Sequence, residues 1–157
     1  MTDDRWIPPN EWQTIVANVP IVSVDLVVKQ QDGVLLGKRT NPPAKGEWFV
    51  PGGTVFKNER LEDAVRRVAQ DELGCDVDIV DFLGTYEHFY DTSEVDGVGS
   101  KHYLANAFLV EPLSPVEPAD SQHERLRVFE PPFEGLHPYV KRYTDALRAE
   151  FEPSDGP

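Results

Sequence analysis

At 157 residues the chain is of single-domain size and long enough to bury a substantial core. Its net charge of −13 and pI of 4.6 argue against a nucleic-acid backbone as partner, and no run approaches the roughly 20 apolar residues of a membrane span. One cysteine, Cys75, excludes an internal disulfide. It stands at an apolar position and reads as a small core residue. With a polar, acidic N-terminus that carries no signal-peptide pattern, this composition predicts a cytoplasmic protein. Six lysines stand against 28 Asp and Glu, which suits either a halophilic host or an acidic mesophilic one.

In chain order, residues 1–10 read as an arm. Its Trp6 and Ile7, with Trp12, are large apolar residues that cover either a dimer interface or the arm's own domain. Residues 21–29 and 34–39 are rich in Val, Ile and Leu around an Asp32-Gly33 turn signal, which predicts a hairpin. Residues 40–47 hold two prolines and a glycine and form a loop, and 48–50 make a short strand entering Gly52-Gly53. A helix follows over 61–73, with Asn58 placed to cap it, Glu59 and Glu62 near its positive end and Gly74 ending it. Strands are predicted at 76–80, 82–90, 102–110 and 124–129, with a mobile loop at 91–100 and a second loop at 111–122. A closing helix over 137–151 turns Val140, Tyr143, Leu147 and Phe151 inward, and 152–157 fray. The pattern predicts one α/β (α+β) domain, a mixed sheet between helices.

The helix over 61–73 carries the most informative residue. At 100° per residue from Leu61, the residues Ala64, Val65, Val68 and Ala69 fall within about 80° of one axis, and Glu72 falls at about 20°, inside their arc. Glu72 therefore points inward, where a carboxylate needs a cation, either a metal or a fixed arginine.

The spacing around it runs Gly53, five residues, Glu59, seven residues, Arg67, then Glu72-Leu73-Gly74. This resembles the box of the Nudix hydrolases, in which glutamates of a loop-helix-loop hold a divalent metal on a nucleoside diphosphate derivative. The family pattern has Glu after the arginine and a Glu pair later. This chain has Val68, and Asp71 before Glu72. Further segments, Pro20 to Asp25, Leu35 to Ala44, Trp48 to Gly53, His88 to Asp91, His102-Tyr103 and Gln122-His123, resemble the GDP-mannose mannosyl hydrolase branch of the family.

That resemblance implies a homodimer that uses Mg2+, or Mn2+, on a small-molecule nucleotide sugar. It implies Gly52 (through its carbonyl), Glu72 and Gln122 as metal ligands and His123 as general base. Arg39 follows the strand at 34–37 and begins the proline loop, so it reads from position alone as an anion ligand or a surface ion pair. The resemblance assigns it to the leaving diphosphate and places Asp25 near the sugar. Asp25 interrupts an apolar strand, and its other reading is a partner for a core Arg or a backbone amide. His88 and His102 are expected to be structural or to touch substrate, while Trp48, Phe49, Phe89, Tyr90 and Tyr103 either stack a base or sugar or fill the core, with His88 and Tyr103 taken as substrate-binding. The branch has an arginine after the glycine pair where this chain has Thr54, so either Lys57 or Arg60 compensates or the substrate differs. The implied reaction is water attack at the anomeric carbon with inversion. Two alternatives stay open: a pyrophosphatase attacking phosphorus with Glu59, Asp71 and Glu72 on metal, and a nucleotide-sugar sensor without turnover.

Overall fold

The computed structural model describes residues 6–116 and 123–147, with backbone alone at 123–125. Gln122, Phe151 and the tail at 152–157 lie outside the described residues, as does the side chain of His123. The elements run α1 (Pro9–Asn18), β1 (Ile21–Gln30), β2 (Gly33–Arg39), β3 (Trp48–Phe49), β4 (Gly52–Thr54), α2 (Leu61–Leu73), β5 (Val77–Tyr90), β6 (Lys101–Pro112), β7 (His123–Phe129) and α3 (Pro138–Ala146). Among these residues seven strands form one mixed sheet in the order β3-β2-β1-β6-β5, with β4 on β1 and β7 on β2. β1 is antiparallel to β2 but parallel to β6, the pairing that makes the sheet mixed. No helix among the described residues is long and apolar enough to cross a membrane.

The period of two in β1 and β6 decides which face each residue meets. Val24, Leu26 and Val28 of β1, with Phe108 and Val110 of β6, pack against Ala64, Val65, Val68, Ala69 and Leu73 of α2. Val27, Ala107 and Leu109 face the other way and pack with Val140 and Tyr143 of α3 and with Leu147 just past its end. The sheet is thus covered on both faces, as the periodicity predicts. Cys75 is buried in the α2 layer, in keeping with its reading as a core residue.

The last two residues of the arm read over 1–10 begin helix α1, with Pro9 in its first turn, where a missing N–H is harmless. Three expectations are corrected. The cap of α2 is Arg60, without a side-chain bond, while Asn58 adopts φ 69° inside a turn closed by Glu59 N–H to Phe56 O at 3.1 Å. Asparagine tolerates that left-handed geometry, so it serves the turn and not the helix. The two strands expected between 76 and 90 are one, β5, bent by register shifts at Ile79/Asp81 and Phe82/Gly84, with Gly84 at φ 123°. The Gly52-Gly53 turn is itself a short strand on β1. The end of α2 is as expected: Gly74 closes it at φ 66°.

Candidate active site

A cavity of about 290 Å³ opens between α1, the starts of β1 and β6, the end of β2, β4 and the loop at 91–100. Asp25, Arg39, Gly52, His88 and Tyr103 all line it, so five of the eight residues singled out from sequence converge. Phe49, Tyr90, Thr54, Trp12, Glu94 and Lys101 line it too. Glu72 is 8 % exposed but is not one of its walls. His123 pairs in register with Arg39 across β2 and β7, which puts its backbone at the rim.

Asp25 is 9 % exposed and accepts a 2.6 Å hydrogen bond from the Tyr143 hydroxyl, whose oxygen lies 3.2 Å from His88 Nε2. A phenol has one proton, and here it goes to Asp25. His88 must therefore carry its own proton on Nε2 and donate it to Tyr143. Burial pushes the Asp25 carboxyl up to about 6, against the lowering effects of the Tyr143 hydrogen bond and the Arg39 charge. Burial, then the charges of Arg142 and His137, lowers His88 to about 4. His88 is 2 % exposed and stacked on Tyr139 at 4.2 Å. Near neutrality it is an uncharged donor with its proton committed, which leaves it poorly suited to act as a base. Burial raises the hydroxyls of Tyr90, Tyr103 and Tyr143, so all three remain protonated.

The box adds a second geometry. Val55 N–H bonds Val22 O and Leu26 N–H bonds Pro51 O, so Asp25 and Gly52 form the pair between bonded positions. In an antiparallel ladder such a pair points its carbonyls away from the partner strand. The Thr54 carbonyl, at the equivalent position, accepts from Arg67 of α2 at 2.7 Å. Gly52 presents its carbonyl on that same edge, two residues earlier. A Cβ on Gly52 would come within 2.5 Å of Asp25 Oδ1, and one on Gly53 within 2.8 Å of Val68 Cγ2, so both glycines are needed for close packing.

Glu59 forms a fork with Arg67, Oε2 to Nε at 2.9 Å and Oε1 to the terminal nitrogen at 3.0 Å, and also accepts from Phe56 N–H at 3.1 Å. Arg67 lies 4.3 Å over the Phe56 ring. Glu59 therefore clamps the loop onto α2. Asp71 is two-thirds exposed, 3.9 Å from Arg67, and Val68 is buried in the core. Among the described residues no group of three or more His, Cys, Asp or Glu side chains is placed to hold a metal.

Lys57 and Arg60 do not line the cavity, which corrects their reading as replacements at Thr54; its described cations are Arg39 and Lys101. Arg39 is fixed at the rim by its Nε donating to Pro43 O at 2.7 Å. Lys101 went unnoticed in the sequence, although its alternation with Tyr103 from the start of β6 puts both on one face. Glu94 went unnoticed within a loop that Ser93 Oγ braces by donating to Val98 O at 2.6 Å. Trp12 turns to this chain's own cavity, with Nε1 donating to Glu94 at 3.4 Å, while Trp6 is 68 % exposed. Of the aromatics left open, Trp48 packs on Phe129 and Phe89 stacks on His102, away from the cavity.

The NUDIX domain pattern matches residues 19–147. The chain is similar to the low-salt glycan biosynthesis protein Agl8 of Haloferax volcanii, 66 % identical over 141 residues and 90 % of each chain. It is also similar to an ADP-ribose pyrophosphatase of Methanocaldococcus jannaschii, 39 % identical over 67 residues, covering 43 % of this chain and 40 % of that one. Among solved structures, a MutT NUDIX hydrolase from Burkholderia pseudomallei aligns with a TM-score of 0.65 at 26 % identity, covering 83 % of this chain and 98 % of that one. The inward carboxylate on α2, the glycine strand packed on that helix at Val68 and the Glu59–Arg67 clamp correspond to the box of that family, and this chain belongs to the Nudix hydrolases.

Proposed function

We propose that this chain hydrolyses a nucleotide sugar, GDP-mannose or GDP-glucose, to GDP and free sugar by water attack at the anomeric carbon with inversion. The observation that carries this reading is the fate of the box carboxylates. Glu59 is held in a fork by Arg67, Asp71 faces outward and Val68 is core, so Glu72 is the box carboxylate that lies within the apolar stripe of α2. That suits one metal site and not the multi-metal arrangement used to activate water at phosphorus. The Agl8 relative, whose name places it in glycan biosynthesis, supports a sugar-bearing substrate.

The Glu72 carboxylate, the Gly52 carbonyl and the Gln122 amide oxygen are hard oxygen donors that fit Mg2+, with Mn2+ as a substitute. Such an ion, when bound, neutralises charge on the diphosphate leaving group. His123 takes a proton from the attacking water as the new carbon–oxygen bond forms. The bond between anomeric carbon and diphosphate oxygen breaks, and its electron pair leaves with GDP. Arg39 binds the departing phosphate oxygens with its planar guanidinium. Asp25, oriented by Tyr143 and His88, binds the substrate beside that bond, and Tyr103 binds it further along the same cavity. The active species is a homodimer of single-domain subunits.

Hydrolysis of GDP-mannose in oxygen-18 water with magnesium tests the reading. The label should appear in the sugar alone, and proton NMR should detect the β sugar first from an α donor. Label in GMP or sugar phosphate would instead establish the pyrophosphatase alternative. Absence of turnover above trace rate would establish the sensor.

A further inference from the structure

The alternation of β6 carries the cavity well beyond Asp25. Ala107 pairs with Asp25, and Lys101 lies six residues earlier on the same face, about 20 Å along the strand. This far end is built from charge and rings. Lys101 is 6 % exposed, donates to Glu94 Oε1 at 2.6 Å, and sits 4.9 Å from the Tyr103 ring centroid and 5.5 Å from that of Trp12. The same Glu94 oxygen accepts from Trp12 Nε1, so helix α1, the loop at 91–100 and β6 hold one carboxylate and one ammonium side by side. A lysine this buried requires an anion, and the pair as a whole is neutral. A neutral pair does not serve a second diphosphate charge.

We infer that the end of the cavity formed by Trp12, Glu94, Lys101 and Tyr103 is the subsite for the nucleobase, and that its acceptor and donor pattern fits guanine. The inference rests on the proposal that the substrate is a nucleotide sugar whose diphosphate lies at Arg39 and Gly52. Guanine presents two adjacent donors, N1–H and the N2 amino group, beside the acceptor O6. A carboxylate accepts the two donors and an ammonium donates to O6. Adenine offers a lone pair at N1, and uracil one donor between two carbonyls, so each leaves the Glu94 carboxylate facing an acceptor. Trp12 and Tyr103 supply ring faces on which a base stacks.

Calorimetric titration of the magnesium-loaded protein with GDP, ADP and UDP tests the assignment without any turnover. The unaltered protein should bind GDP about ten- to a hundredfold more tightly than the other two. Glu94→Gln, which keeps shape and loses the charged acceptor, should lower GDP affinity about tenfold and leave ADP and UDP within about threefold. Trp12→Leu, a change on a partly exposed helix, should weaken GDP about tenfold through lost stacking, and thermal melts of both variants report their folding. Equal affinity for the three nucleotides overturns the subsite, as does an equal loss of all three in Glu94→Gln. GDP affinity unchanged in Glu94→Gln while GDP-mannose affinity falls would make this a sugar subsite and also overturns it. Sugar-labelled product with no base preference removes this inference and leaves the reaction. Guanine preference with label in the nucleotide does the reverse.

Discussion

Glu72 occupies a position where a solvated glutamate would gain nothing, at 8 % exposure within the apolar stripe of α2. Its replacement by the neutral isostere, Glu72→Gln, should lower metal-dependent turnover on the order of a hundredfold or more while leaving the melting temperature equal or higher. Normal turnover with normal magnesium affinity would remove its ligand role. Asp25 and His88 make opposite contributions to stability against pH in metal-free buffer. Asp25 titrates at about 6 in the fold against an ordinary 3.8, so between those values the folded state keeps a proton that the unfolded chain has lost. Stability from this group falls as pH rises through that window. His88 titrates at about 4 against 6.5, so the unfolded chain holds the extra proton and stability rises with pH. In Asp25→Asn the melting temperature should climb from pH 4 to 6.5, and in His88→Gln it should fall from pH 4 to 6. Profiles that match the unaltered protein in both variants would refute the assignment.

At the level of elements, β4 and α2 meet through Gly53 and Val68 with no room for a methyl group. Gly53→Ala should cost about 1–3 kcal/mol, a fall of roughly 3–10 °C in melting temperature, as the loop backs away from α2. A melting temperature within about 1 °C of the unaltered protein would show that the loop yields freely. The limits of α2 were legible because a 3.6-residue period, a left-handed glycine and an acidic first turn agree with one another. The N-cap was not, because Asn58 suits both a cap and a left-handed turn, and only the bond from Glu59 N–H to Phe56 O selects the turn. The continuity of β5 was hidden for a similar reason. Its bulges at 79–84 break the alternation that marks a strand, and its pairing with β6 along twelve positions restores it.

For the whole molecule, the net charge of −13 repels itself in the compact state. Added potassium chloride screens that repulsion, so the melting temperature should rise toward molar salt if the composition reflects a halophilic host. A flat or falling curve would identify an acidic protein without that adaptation. The chain by itself determined the layered α+β fold, because hydrophobic periods of two and 3.6 residues are local properties and each specifies the face an element must bury. It likewise determined that Glu72 turns inward, since the helix phase alone dictates that. Tertiary structure decided what Glu59, Tyr143, Glu94 and Lys101 do. Glu59 reads as a metal ligand until Arg67, eight residues on, is seen to hold both its oxygens. Tyr143 reads as core until α3 folds across the sheet and brings its hydroxyl to Asp25, 118 residues away in sequence. The side chains of Glu94 and Lys101, seven residues apart around a loop, meet only when α1 and β6 close the far end of the cavity. Hydrogen bonds and ion pairs between elements depend on distances that no local pattern encodes.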